Sequence, residues 1–309
     1  MTNGAAMPFK TQLPQENQAF LDHAAHFVED MEGAAEALER LGFRLTPFTE
    51  QMNRTEAGAT PAGMANRCAM LRQGYLEFLT AVSDTPLARR FHTALGRYTG
   101  LHLIAFAVAD AEDVPARLEK QGFAPEPPVN LRRPVEMPDG TAGEARFTVV
   151  RVPPEAMPEG RIQILTHHTE TAIWQARWIE QPNAVEALQA VALVVEDPAA
   201  VAARYGRFVD RPVERREDGR WRLAMERGVL VFMDAATMGA HLPGVSPPAT
   251  PWIAGHALGS GDPAETRRWF AAGAEPLSER EGEASYRLPP ALGGFATVTV
   301  SGVLPLWAR

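Results

Sequence analysis

Four stretches of the chain repeat one hydrophobic rhythm: an alternating or continuous apolar run, an aspartate, then apolar positions at helical spacing, then a glycine. They are "LDHAAHFVEDMEGAAEALERLGF" (21–43), "LHLIAFAVADAEDVPARLEKQGF" (101–123), "LQAVALVVEDPAAVAARYG" (188–206) and "WIAGHALGSGDPAETRRWFAAG" (252–273). The change of period from strand to helix predicts a strand followed by a helix in each. Asp30, Asp110, Asp197 and Asp262 stand where a carboxylate can accept from the free N–H groups of a helix start. Asp113 competes with Asp110 for that role, because Pro115 fits poorly if the helix begins right after Asp110. Pro198 and Pro263 follow their aspartates at the first helical position, and Gly42, Gly122, Gly206 and Gly273 mark the expected ends.

Shorter strand patterns follow each helix. The first unit has "GFRLTPF" (42–48), "MANRCAML" (64–71) and "GYLEFLTAV" (74–82), and the second has "ARFTVVRV" (145–152) and "GRIQILTH" (160–167). The third contains "WRLAMERGVLVFMD" (221–234), and the fourth "ASYRLPP" (284–290) and "FATVTVSGV" (295–303). The Pro-rich stretches 124–140 and 243–251 read as loops. The predicted fold class is therefore α+β, built from four β-α-β-β-β modules. One module cannot cover both faces of its sheet, so the modules are expected to pair into two half-barrel domains. The boundaries predicted are a loosely packed tail at 1–19, a first domain at 20–185 and a second at 186–309, with 169–186 as the connection.

One residue breaks the apolar pattern. In "GYLEFLTA" (74–81), Glu77 stands among Tyr75, Leu76, Phe78 and Leu79. A lone ionised carboxylate in an apolar site is costly, so Glu77 must be paired, bound to a metal or turned to water. Arg67 on the neighbouring strand pattern is one available partner. The stretch "GRIQILTH" repeats "GYLEFLTA" 86 residues later, with Gln163 under Glu77.

Composition narrows the function classes. The 309 residues carry a net charge of −8 with pI near 5.6, and the arginines are interleaved with acids, as in "VERREDGR" (213–220). No basic stripe for nucleic acid is present. Cys68 is the single cysteine, which excludes an intrachain disulfide and predicts a cytoplasmic location. No signal peptide and no membrane span are read from the sequence. P-loop, dinucleotide-binding, nucleophile-elbow and H-E-x-x-H motifs are missing.

The four-module pattern resembles the vicinal oxygen chelate superfamily, which includes glyoxalase I, extradiol dioxygenases and bleomycin-resistance proteins. "LDHAAHFVEDM", "MANRCAML", "GYLEFL" and "THHTETAIWQARWIEQPNA" (166–184) are similar to segments of glyoxalase-like domain proteins. The resemblance implies metal ligands on the first and fourth strands of a paired unit, here His23, Glu77 and Gln163. Glu77 would double as catalytic base. The fourth ligand position, seven residues before Asp110, is Leu103. His102 is one residue out of register, which on a regular strand turns it to the other face. The matching positions of the second pair are Ala190, Val231 and Gly255, with His256 one residue off.

Asn66, Arg67, His102, His167 and His168 are the candidate substrate contacts. Trp174 and Trp178, four apart, predict one helical face packed between the halves, and Cys68 an inert core thiol. The implied cofactor is a divalent ion (zinc, nickel, manganese or iron), or none. The leading expectation is a lyase or isomerase acting on a small oxygenated metabolite, with a homodimer as an option. The alternatives are a metal-free protein that sequesters a small molecule, and an extradiol-type dioxygenase using His23, His102 and Glu77.

Overall fold

The computed structural model describes residues 12–55 and 58–309. The first module runs β1 (Ala19–Phe27), α1 (Met31–Arg40), β2 (Thr49–Thr55), β3 (Gly58–Met70) and β4 (Tyr75–Ala81). Helix α2 (Pro86–Leu95) leads into the second: β5 (Gly100–Val108), α3 (Val114–Lys120), β6 (Val129–Glu136), β7 (Ala142–Arg151) and β8 (Arg161–His167). Two single-turn helices, α4 (Glu170–Ile173) and α5 (Ala176–Ile179), cross to the third: β9 (Val185–Val194), α6 (Pro198–Val209), β10 (Val213–Arg215), β11 (Trp221–Ala224) and β12 (Val229–Met233). After α7 (Ala235–His241) comes the fourth: β13 (Trp252–Ser260), α8 (Pro263–Gly273), β14 (Glu275–Arg280), β15 (Glu283–Arg287) and β16 (Phe295–Val300).

Every module has the same strand order. The first strand pairs parallel with the fourth, the fourth antiparallel with the third, and the third antiparallel with the second. The first strands then join antiparallel, β1 with β5 and β9 with β13, and the pairs Leu101 with Ile253, Phe20 with Arg227 and Gln73 with Ala187 link the two halves. The fold is α+β, with four β-α-β-β-β modules in two pairs.

The capping aspartates act as their chemistry requires. Asp30, Asp197 and Asp262 accept from the backbone N–H groups of Glu32, Ala200 and Ala264. Asp113 is the residue before α3 and makes no side-chain cap, while Asp110 accepts from Glu112. Gly42 (φ 77°) and Gly122 (φ 85°) supply the left-handed turn after α1 and α3. Helix α6 instead runs through Gly206 and ends on left-handed Asp210 (φ 60°). Gly273 belongs to α8.

Three further expectations are corrected. The second strand begins at Thr49 rather than at 42. The stretch 124–140 contains β6, whose Pro134 is tolerated because β6 is an edge strand paired only with β7. Trp174 and Trp178 share no helical face, since the chain breaks between α4 and α5. Of the expected tail, residues 1–11 lie outside the described residues. Gln12 is buried and tied to Gly74 and Arg227, one in each half.

Each first strand also carries one or two extra residues. Leu21 pairs with Phe106 and His23 with Ala105, which leaves Asp22 as a bulge. Ala25 pairs with Leu103 and His26 with Leu101, which leaves His102. The same count leaves Gln189 and Glu186 on β9 and Ala254 on β13. The main core lies between the outer faces of the two halves and their helices, where Phe208 of α6 meets Phe106 and Phe123. Among the described residues no helix is long and apolar enough to cross a membrane.

Candidate functional site

Strand pairing sets two rows of side chains across the inner face of the N-terminal half. One row runs Cys68, Glu77, Ala25, Leu103, Arg161. The next runs Tyr75, His23, Ala105, Gln163, Arg151. His23 and Glu77 thus come from adjacent strands and adjacent rows. His23 Nε2 lies 3.6 Å from Glu77 Oε2. Glu77 Oε1 accepts from Asn66 Nδ2 at 2.6 Å, so the carboxylate is held without an arginine. Arg67 pairs in register with Phe78, and its Nε donates to the Thr46 carbonyl at 3.0 Å.

The bulge at Asp22 supplies the support behind His23. Its buried carboxylate accepts from His23 Nδ1 at 2.6 Å and from His167 Nε2 at 2.9 Å. Burial opposes its ionisation, but the two imidazoles beside it hold Asp22 well below the usual carboxylate range. With Nδ1 bonded to Asp22, His23 turns Nε2 toward Glu77. The ring is stacked on Tyr75 at 4.4 Å. Burial, then the carboxylates of Asp22 and Glu77, raise the Tyr75 phenol well above its ordinary value. His167 is enclosed by Trp174 and Phe147 and acts on the site through Asp22.

The remaining candidates are placed as follows. Gln163 is on the inner face with its Oε1 turned toward Arg151 Nε, 3.4 Å away. His168 is exposed and shares a hydrogen bond with Thr148 Oγ1 at 2.8 Å. His102 is the bulge residue of β5, the counterpart of Asp22 rather than of His23. It stacks on Tyr98 at 4.0 Å and donates from Nε2 to the Tyr98 carbonyl. Its Nδ1 is buried with no partner among the described residues, and burial pushes the imidazole down to about 4. Cys68 is buried beside Glu77, and burial pushes its thiol up to about 12.

Two cavities meet here. One of about 170 Å³ is lined by His23, Asn66, Tyr75, Glu77 and Gln163. The other, about 600 Å³, lies under α2 and is lined by Phe27, Leu87, Phe91 and His102. Arg151 and Arg161 line both. Sequence reading did not single out Asp22, Arg151, Arg161 or α2. Signals existed for two of them: Thr85-Pro86 is a helix start, and strand alternation puts Arg161 on the face of Gln163.

A glyoxalase-like domain is matched over residues 21–209, and the chain belongs to that family. The match covers modules one and two and runs on through β9 and α6. Among solved structures, the chain is similar to a hypothetical protein from Staphylococcus aureus, with a TM-score of 0.61 and 10% identity, covering 91% of this chain and 99% of that one. It is also similar to a mutant of 4-hydroxymandelate synthase from Streptomyces coelicolor, with a TM-score of 0.54 and 16% identity, covering 93% and 94%. At these identities the likeness concerns the fold. A search of curated protein sequences finds no match.

Members of the superfamily often use a metal ion, and the donor set here can be tested against one. His23 Nε2, backed by Asp22, and Glu77 Oε2 are suitable donors. A third is missing: Leu103 is apolar, and the Gln163 oxygen faces a guanidinium. Among the described residues no three His, Cys, Asp or Glu side chains converge closely enough to hold an ion. Two protein donors beside the cationic Arg151 and Arg161 do not fit a resident divalent metal.

Proposed function

We propose that the inner face of the N-terminal half binds a small oxygenated metabolite and moves a proton on it, in chemistry of lyase or isomerase type. The observation that carries this reading is the gap of 3.6 Å between His23 Nε2 and Glu77 Oε2. The far nitrogen is fixed by Asp22 and the far oxygen by Asn66. In the neutral tautomer with its proton on Nδ1, His23 faces Glu77 with a lone pair, and the gap then suits a group that brings a proton. A carbon next to a carbonyl is such a group. Nε2 takes the proton as the C–H bond breaks, and the electron pair moves to the carbonyl oxygen. Asp22 and Glu77 flank the resulting imidazolium and stabilise it. Glu77 then accepts the proton and returns it to the same carbon as the electron pair moves back from the oxygen, which exchanges or inverts that centre.

The test is NMR-detected uptake of deuterium from D2O by a panel of 2-oxo and 2-hydroxy carbonyl compounds. At least one compound should exchange, and His23→Gln and Glu77→Gln should each slow it by about 10²-fold or more. Binding without any exchange across the panel would overturn the catalytic reading and leave sequestration. Exchange should survive dialysis against a chelator. Loss on dialysis, with recovery on adding zinc, nickel, manganese or iron, would instead restore the metal-assisted version.

A further inference from the structure

The larger cavity contains charge that the proton-transfer pair does not use. Arg161 is half-buried at the end of the Glu77 row, and its guanidinium has neither an ion pair nor a hydrogen bond among the described residues. Beside it, Arg151 makes only the long contact to Gln163. Arg90, projecting from α2, is also unpaired and lines the same chamber. Arg97 differs, because it donates to the carbonyls of Pro158 and Pro251 and holds those loops. The chamber's carboxylates, Glu126 and Glu155, pair with none of these arginines. The rest of the lining is apolar: Phe27, Met64, Leu87, Phe91, Met157 and Ile162.

Two neighbouring guanidiniums repel each other and lose hydration when enclosed. Burial, then the charge of Arg161, push Arg151 down to about 9. A forked cation in an enclosed, mostly apolar space is the residue type suited to a carboxylate or phosphate. About 600 Å³ is the size of a pocket for a small organic ligand.

We propose that Arg161 and Arg151, joined by Arg90 from α2, bind the anionic head group of the metabolite, while its apolar body occupies the chamber under α2. Glu77 and Arg161 are three strand spacings apart, roughly 14 Å at the backbone, and their long side chains narrow that gap. One molecule can therefore present its reacting carbon to His23 and its anion to Arg161. The substrate class is an amphipathic carboxylate or phosphate ester. This assignment rests on the proton-transfer reading only for which end of the molecule reacts.

The test is calorimetric titration of the full chain with 3-phenylpropanoate, 2-phenylethyl phosphate and neutral 3-phenylpropan-1-ol. At least one anion should bind about tenfold or more tightly than the alcohol, and the preferred anion identifies the head group. Arg161→Gln should weaken the anion by about tenfold or more and leave the alcohol within about twofold. Arg161→Lys should restore part of the loss. Equal binding of alcohol and anions, or anion affinity unchanged in Arg161→Gln, overturns the subsite. His23→Gln separates the two readings, because it should abolish exchange and keep anion affinity within about threefold. Anion selectivity without exchange in the wild type would sink the chemistry alone.

Discussion

The two halves of the molecule use one scaffold in opposite ways. Strand register aligns His23 with Ala190, Glu77 with Val231, Leu103 with Gly255 and Gln163 with Thr297. In the N-terminal half these positions line a cavity and carry an imidazole, a carboxylate and an amide. In the C-terminal half the same face is filled by the chain itself. Trp307 is buried there, donates from Nε1 to Thr297 Oγ1 at 2.9 Å, and meets Phe295 edge-on at 5.8 Å. Glu283 and Arg220 hold the plug by its Leu306 backbone. Gly255 is small because a Cβ would lie 2.6 Å from the Phe295 ring. An inner face of this fold is therefore open in one half and closed by the chain's own Trp307 in the other.

The largest test of that contrast removes the plug. Trp307→Ala should destabilise the protein by about 3–5 kcal/mol in urea denaturation, since a buried tryptophan leaves a cavity. Its deuterium exchange below the unfolding range should not change, because the plug touches none of the N-terminal site. An exchange defect as large as that of Glu77→Gln would show that the halves are not separate in function.

A smaller effect comes from the seam between the halves. His26 on β1 meets His256 on β13 edge-on at 5.5 Å, and His26 Nδ1 donates to the Leu292 carbonyl. Burial pushes His26 down to about 4 and His256 well below its ordinary value. In the unfolded chain both histidines take up protons near pH 6.5, while in the fold they do not until far lower pH. The unfolded state thus binds more protons between these values, and stability rises with pH across that window. It should be complete above about pH 6.5 and fall on the order of 1–2 kcal/mol per histidine by pH 5. Urea midpoints at pH 7 and pH 5 check this, and His26→Gln should shrink the difference. The smallest effect has the opposite sign. Arg161 aligns with Phe295 of the closed half, so Arg161→Gln should raise the thermal midpoint by about 1–3 °C.

Much of the fold was legible because its signals are local. Apolar period and aspartate recur in each module, and the match between Glu77 and Gln163 follows from the repeat of "GYLEFLTA" in "GRIQILTH". Helix α2 had its start signal in Thr85-Pro86, and α7 stands at the same place in the second half with a different cap, Asp234. Arg151 and Arg161 resembled the solvated arginines elsewhere, and only the sheet reveals that they share an enclosed face. Counting residues back from the aspartates put His23 and Leu103 at matching places. It could not show that His102 matches Asp22, because bulges appear only when two strands are paired. The plug was beyond local signals, since Trp307 and the strands it covers are far apart in sequence.

The bulges have one more consequence. Asp22, His102, Gln189 and Ala254 sit in their strands like interstitial atoms in a lattice, with the alternation unbroken on either side. Excising Asp22 would leave Leu21 and His23 opposite Phe106 and Ala105 as before, in a sheet more regular than the native one. The imidazole would keep its address and lose its anchor. At that site a one-codon deletion acts as a chemical edit rather than a structural one.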